Sequence, residues 1–387
     1  MRVMSFCPRY VPMLSGGETA AHALNVALAE RGHEVSVVTA TQPEDRRVRK
    51  ELGGVEVYYG RIRPRHARYV EEREPDVLFA QFEMSVPTVR FALEVGLPVV
   101  VFCHGPYGYT ELAEHGLAHA VDLFIFNSVF LLSLANRNVH HVVVNPPLDR
   151  ERVRAPEGLD RRFVTLVNLH DNKGPHIFHT LARIFIDKPF LAVKGAYGQQ
   201  LVEDLPNVEV RETTPHIGRV YGESRVVLIP SAEESFGLVG VEAQSNGVPV
   251  IASDLPSLRE SLGDGALFVA REDIAGWVTA LRQLDDADFY AELSRRARAN
   301  ADSFDTALDV DVLVTVLEAM LRRYRWRRRP TLARLHEERE ERSRRIREIF
   351  RRGLQREPTF TELLTFLDGT QSLVQLEHVI PALRGQA

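Results

Sequence analysis

The chain predicts an α/β fold built as two Rossmann-like, doubly wound parallel-sheet lobes, and three features carry that expectation. Short apolar runs of strand length alternate with helix-period or linking segments along most of the 387 residues. A charged, proline-containing stretch at 146–162 interrupts the alternation once, and beyond it the same alternation restarts. A ligand cleft is expected where the carboxyl ends of the two sheets face each other. The length exceeds that of a usual single domain, and a hydrophobic content of 44% supplies more than one core.

In the first lobe, 1–147, the strand-like runs are 3–6, 35–39, 55–59, 77–80, 99–103, 123–126 and 142–144. The stretch 146–162 reads as an interdomain linker. The second lobe, 160–305, holds runs at 163–167, 190–193, 208–210, 226–229, 248–252 and 267–269. A closing helix is expected over 306–329 and an arginine-rich helical extension over 330–387. Cys7 and Cys103 are too few for a disulfide framework and each follows an apolar run, so buried thiols in a reducing cytoplasm are expected. No run approaches the ~20 apolar residues that span a bilayer. A cytoplasmic protein, or one peripheral to a membrane, fits this pattern.

The most informative stretch is Glu234-Ser-Phe-Gly-Leu-Val-Gly-Val-Glu242. Two carboxylates stand around a turn that opens an amphipathic run. Gly237 lets backbone N–H groups approach a phosphate, and the following helix start presents partial positive charge to it. Were the spacing wholly helical, the eight steps would cover about 12 Å, roughly a diphosphate, with one carboxylate at the sugar and the other at the ribose. Ordinary capping and dipole roles for the two acids are equally open. Upstream, 226–231 reads as a buried strand feeding the loop; downstream, 247–254 reads as helix stop, strand and turn.

With these residues the chain resembles the family 4 glycosyltransferases of the GT-B fold, whose signature is a glutamate, seven residues and a second glutamate between such a strand and helix. The resemblance spans about 1–305 and is more specific in the second half. It implies a retaining, metal-independent transferase with no cofactor, using a nucleotide-diphosphate sugar such as a UDP- or GDP-sugar as co-substrate. It also implies donor contacts from Ser235, Phe236, Gly237 and Leu238, sugar hydroxyls on Glu234 and ribose on Glu242.

Other candidates stand at strand ends. Gly16 and Gly17 precede a helical run and suit a diphosphate or sugar, although a plain loop reads as well; the resemblance puts them at the donor. His104 ends the run 99–103, where an imidazole can donate to a sugar hydroxyl, and a histidine stands at the matching place in the family. Tyr107 and Tyr109 suit either an acceptor site or aromatic packing. Lys173 can set positive charge against the β-phosphate as the glycosidic bond breaks. Five positions earlier the family commonly has arginine, and this chain has Asn168, which leaves Lys194 to supply the second cation or the clamp weaker. A small helix under the base is expected at 216–221, with Arg219 on the surface, and capping and packing alone are expected of 254–260.

From Arg322 to Arg352 there are fourteen arginines and five glutamates, a net of +9 in a chain of −5, which leaves −14 for the remainder. Helical pairing such as Glu338 with Arg342 and Glu341 with Arg345 suits a solvated helix. An acidic partner, a sister subunit and an anionic lipid are compatible with this charge, as is docking on the chain's own acidic body; nucleic acid is the least favoured partner. Short amphipathic patterns at 360–369 and 373–383 point to segments that fold onto something.

The expected function is therefore transfer of a sugar from a nucleotide-diphosphate sugar to an acceptor that the sequence does not identify. Two rivals stand beside it. A nucleotide-sugar epimerase of the same fold would isomerise donor alone, and a non-catalytic nucleotide-sugar-binding subunit would show turnover only with a partner.

Overall fold

The structure is a computed structural model that describes residues 1–11, 15–40, 48–60, 66–135, 138–324 and 332–358, with the backbone alone described at 48–49, 66–68, 332–340 and 353. Pro330, the expected patterns at 360–369 and 373–383, and the side chain of Glu338 lie outside the described residues.

Eight strands form the first sheet: β1 (Arg2–Cys7), β2 (Glu34–Thr39), β3 (Val48–Leu52), β4 (Val55–Tyr59), β5 (Val77–Gln81), β6 (Val99–Cys103), β7 (Leu123–Phe126) and β8 (His141–Val143). Their order is β3-β4-β2-β1-β5-β6-β7-β8. Interleaved are α1 (Gly16–Glu30), α2 (His66–Arg73), α3 (Ser85–Val95), α4 (Tyr107–Glu114) and α5 (Val129–Ser133). Helices on both faces explain why strands such as β6 are apolar at every position and wholly buried. Each such side chain is worth about 1.5–3 kcal/mol relative to exposure. The thiols of Cys7 and Cys103 are free and buried, and burial pushes the Cys7 thiol up to about 12.

One strand departs from the expected parallel pattern. β3 runs antiparallel to β4 at the sheet edge, joined to it by Gly53-Gly54. Its sequence, Val-Arg-Lys-Glu-Leu, is charged because an edge strand buries little, so it shows no apolar run.

The second sheet has six strands, all parallel: β9 (Phe163–Val167), β10 (Phe190–Val193), β11 (Val208–Arg211), β12 (Ser224–Ile229), β13 (Val250–Ser253) and β14 (Ala266–Val269), in the order β11-β10-β9-β12-β13-β14. The helices from the joint onward are α6 (Arg150–Val153), α7 (Pro175–Ile184), α8 (Ile217–Glu223), α9 (Leu238–Ser245), α10 (Pro256–Leu262), α11 (Ile274–Gln283), α12 (Ala287–Asp302), α13 (Thr306–Tyr324) and α14 (Leu332–Leu354). The stretch read as a linker is thus partly folded, and its Leu148 and Val153 are buried in the second lobe's core.

The last two helices return to the first lobe. Val310, Leu313 and Leu317 of α13 share one core with Val3, Leu28 and Val142. Arg31 fastens this docking, its Nε–H donating to Asp311 Oδ1 at 2.6 Å and its Nη2 to the Ala307 carbonyl at 2.9 Å. α14 lies against α3, and its Ile346 and Phe350 are fully buried. Its outer face carries exposed arginines, including Arg344 and Arg345. Among the described residues no helix is long and apolar enough to cross a membrane.

Candidate active site

The carboxyl ends of both sheets open on one cavity of about 330 Å³. Eleven of the candidate residues line it: Gly16, Gly17 and His104 from the first lobe, and Asn168, Lys173, Glu234, Ser235, Phe236, Gly237, Leu238 and Glu242 from the second; Tyr107 and Tyr109 do not. A larger cavity, about 570 Å³, lies on the far side of α9 among Arg150, Arg154, Arg161 and Arg298. All four are engaged: Arg150 pairs with Asp302 and Arg154 with Glu151, while Arg161 and Arg298 donate to the Asn246 carbonyl at the C-terminal end of α9. The convergence of strand ends and helix N-termini makes the smaller cavity the functional candidate.

On the second lobe, α9 begins at Leu238 behind Gly237, whose left-handed φ of 81° closes the turn. A side chain at 237 would also strike Leu258. Leu238 and Val239, which start α9, line the cavity, and N–H groups in the first turn of a helix lack intrahelical partners and can cradle an anion. Glu234 lies in the loop before this helix, so the two glutamates are not joined by continuous helix as the spacing argument allowed. Glu234 Oε1 accepts from Lys173 Nζ at 2.6 Å and from Ser231 Oγ at 2.9 Å. Lys173 is held by a single helical turn that follows β9.

Glu242 sits one turn inside α9, only 5% exposed. Arg152 Nη2 donates to its Oε1 at 2.5 Å and the Tyr221 hydroxyl donates to its Oε2 at 2.6 Å. Burial pushes the Glu242 carboxyl above the usual range, opposed by the Arg152 charge and both hydrogen bonds. Arg152 was hidden from the sequence argument because it belongs to the joint at 146–162, and its contact spans ninety positions.

Asn168 has a left-handed backbone, φ 74°, a conformation asparagine tolerates far better than arginine. Its Oδ1 accepts from the His170 N–H at 3.0 Å, closing the loop that carries Lys173. Lys194, the other cation considered for the clamp, donates to Glu212 at 2.6 Å, although it also lines the cavity. Arg219 is exposed and pairs with Glu223 on its own helix.

On the first lobe, His104 is clamped between Phe82, stacked at 4.4 Å and 9°, and Phe102 at 4.0 Å. Its Nε2 lies 2.7 Å from Gln81 Oε1, while the Gln81 amide nitrogen donates to Ser5 Oγ at 2.9 Å. With the amide so oriented, His104 Nε2–H is the donor to Gln81, and Nδ1 is left as an acceptor. In that tautomer the ring would accept from a sugar hydroxyl, where the sequence led to the expectation of a donor. Burial drives its pKa down to about 3, which fixes the neutral ring. Phe82 adopts φ 52°, a costly conformation for an aromatic residue. Its ring approaches Gly17 so closely that any Cβ there would lie 2.8 Å from it. Glycine at 17 is therefore demanded by Phe82; at Gly16, which opens α1, a Cβ would meet open space.

The lobes touch beside the cavity. Asn127 Nδ2 donates to Ser235 Oγ at 3.1 Å, and Ser128 Oγ donates to the Ser235 carbonyl at 2.8 Å. Glu260 of α10 accepts from the N–H groups of Val129 and Phe130 at 2.7 and 2.6 Å, capping α5 across the lobe boundary. The 254–260 turn therefore does more than cap its own helix, which is what its sequence suggested. Tyr109 packs on Phe124 and Phe126, whereas Tyr107 is 75% exposed.

Two sheets facing such a cleft are the architecture of the GT-B glycosyltransferases, and solved structures share it. Sucrose-phosphate synthase from Thermosynechococcus elongatus superposes with a TM-score of 0.68 over 82% of this chain and 99% of that one, at 16% identity. The Anabaena protein HepE in complex with UDP-glucose gives 0.68 over 82% and 100%, at 17% identity. The sequence narrows the class. Residues 15–169 match the "Glycosyl transferase 4-like domain" family and residues 160–286 match "Glycosyl transferases group 1", together well over half of the chain. The chain belongs to these glycosyltransferase families. Among its relatives is the D-inositol 3-phosphate glycosyltransferase of Mycolicibacterium vanbaalenii, 30% identical over 265 residues, 58% of this chain and 59% of that protein. The protein of the same name from Gordonia bronchialis is 37% identical over 99 residues, 25% and 22% of the two chains. The chain thus spans less than two thirds of the length of the curated relatives it matches.

Proposed function

We propose that the protein is a retaining glycosyltransferase that moves a sugar from a nucleotide-diphosphate sugar to an acceptor, with neither a metal ion nor a cofactor. The observation that carries this reading is the convergence of Lys173, Glu234 and Glu242 from one lobe and His104 from the other on a single cavity. In it the diphosphate lies across the N-terminus of α9, where N–H groups and Lys173 stabilise the charge that grows as the glycosidic bond breaks. Glu234 takes sugar hydroxyls, Glu242 takes the ribose, and His104 accepts a hydrogen bond from the sugar through Nδ1. The leaving phosphate receives the acceptor's proton on the face where attack occurs, so no carboxylate is needed as base. Lobe contact beside Ser235 excludes water from the reacting centre.

The relatives carry inositol 3-phosphate in their names, which makes a phosphorylated polyol the first acceptor to test. A thermal-shift screen of UDP-, GDP- and ADP-sugars is expected to show one series that raises the melting temperature; a ligand at 100 times its Kd adds about 2.7 kcal/mol. Turnover of that donor with the acceptor panel, unchanged by a chelator, is the expected result. Isomerised donor without acceptor, or binding without turnover under every condition, overturns the reading.

A further inference from the structure

Three elements that are distant in sequence meet at Glu242. α9 supplies the carboxylate, α8 supplies Tyr221, and α6, in the joint between the lobes, supplies Arg152. Each carboxylate oxygen receives one protein donor, which fixes the plane of the group. A carboxylate has about four lone-pair sites, so one on each oxygen is left for a ligand. Two acceptors held side by side match the two adjacent hydroxyls of a ribose. Arg152 Nε is itself buried without a hydrogen-bond partner, so only its Nη2 contact anchors the guanidinium here.

We propose that Arg152, acting through Glu242, is a positioning residue that makes the site selective for ribonucleoside over deoxyribonucleoside diphosphates. The inference rests on the nucleotide-sugar reading above and deepens it by assigning ribose selectivity to a residue of the interlobe joint. A carboxylate buried this deeply holds its charge through a close cation, and Arg152 is that cation. The groups facing Glu242 are Arg152 and Asp149 from the α6 segment and Tyr221 from α8. From α12, Asn300 is committed to Gln244 and Arg298 to the Asn246 carbonyl. No other described cation is bonded to Glu242, so removing Arg152 lets the carboxyl protonate at higher pH and lose its grip on both hydroxyls.

The test is calorimetry on the full chain with UDP, GDP and ADP and their 2′-deoxy counterparts, from pH 8 to pH 6. The wild type is expected to prefer the ribo form of the nucleotide it binds by about tenfold to a hundredfold, the value of one or more hydrogen bonds to a charged acceptor. In Arg152→Met that preference collapses, and ribonucleotide affinity falls further as the pH is lowered. Arg152→Lys, which keeps the charge, restores the flat pH profile. Tyr221→Phe, which removes one bond to the charged form but leaves the cation in place, reduces the preference and steepens the pH dependence less than Arg152→Met does; Arg152→Gln stands in if Arg152→Met does not fold. A wild type that binds a nucleotide while every folded variant keeps its ribo preference and pH profile overturns the role of Arg152 alone. A wild type that binds none of these nucleotides overturns this proposal and the donor reading together.

Discussion

Lys173 and Glu234 form an ion pair, with 2.6 Å between Nζ and Oε1. The cation expected at the leaving phosphate and the carboxylate expected at the sugar thus fix each other's position. Both are partly buried, 26% and 15% exposed at the side chain, so the pair is better shielded than one at the surface. The two substitutions should therefore couple. Lys173→Ala is expected to lower kcat and kcat/KM together, by up to about 10²-fold, because its charge matters most as the phosphate departs. A double-mutant cycle with Glu234→Ala should be non-additive by about 0.5–3 kcal/mol. A raised KM with unchanged kcat would reduce Lys173 to a binding residue.

Glu234→Ala and Glu242→Ala should separate by ligand. Loss of Glu242 is expected to weaken binding of the bare nucleoside diphosphate by about 1.5–3 kcal/mol, and loss of Glu234 to weaken the sugar nucleotide more than the bare one. Only Glu242→Ala leaves the fully buried Tyr221 hydroxyl without its acceptor, so it should also cost about 1–3 kcal/mol of stability. Calorimetry on both ligands and chemical denaturation check the two halves; equal losses of affinity in the two variants would overturn the assigned roles.

His104 should stay neutral throughout the physiological range. Its folded pKa is depressed to about 3 from an ordinary 6.5, so its contribution to stability is complete above about pH 6.5 and is lost progressively as pH falls toward 3. The stability gap between wild type and His104→Gln should narrow over that window. Imidazole resonances of His104 that titrate near pH 6.5 would contradict the burial argument.

Glu260→Ala removes the acceptor for the first two N–H groups of α5. A cost of about 1 kcal/mol is expected from the lost cap. Because the cap comes from the opposite lobe, small-angle scattering should also show a wider mean separation of the lobes. An unchanged scattering profile would make the contact purely local.

A chain ending at Arg329 retains both sheets and α13, and should bind whichever nucleotide the full chain binds. It loses the packing of Ile346 and Phe350 against α3, so a lower melting temperature is expected. A truncated protein that folds but binds none of that nucleotide would make the extension part of the cleft.

The strands and the glutamate loop were legible because each depends on local chemistry: apolar runs buried on both faces, and glycine at a left-handed turn. β3 was missed because an edge strand needs no apolar run. Phe82, Gln81, Arg152, Tyr221 and Glu260 were not assigned their roles for another reason. Each acts through a partner that the sequence leaves tens of positions away, as in Arg152 with Glu242 or Glu260 with Val129. The acceptor capacity of His104 was illegible for the same reason, since it is set by Gln81 and, behind it, Ser5.

The docking of α13 in the core of the first lobe bears on how the chain matures during synthesis. Val310, Leu313 and Leu317 leave the ribosome after every strand of both sheets, yet they close the core that Val3 and Leu28 begin. Contacts so far apart in sequence form late, because the intervening loop must be closed first. Until then the first lobe carries an uncovered apolar face that a chaperone or a neighbouring chain can bind. The lobe that is translated first is the last to be finished.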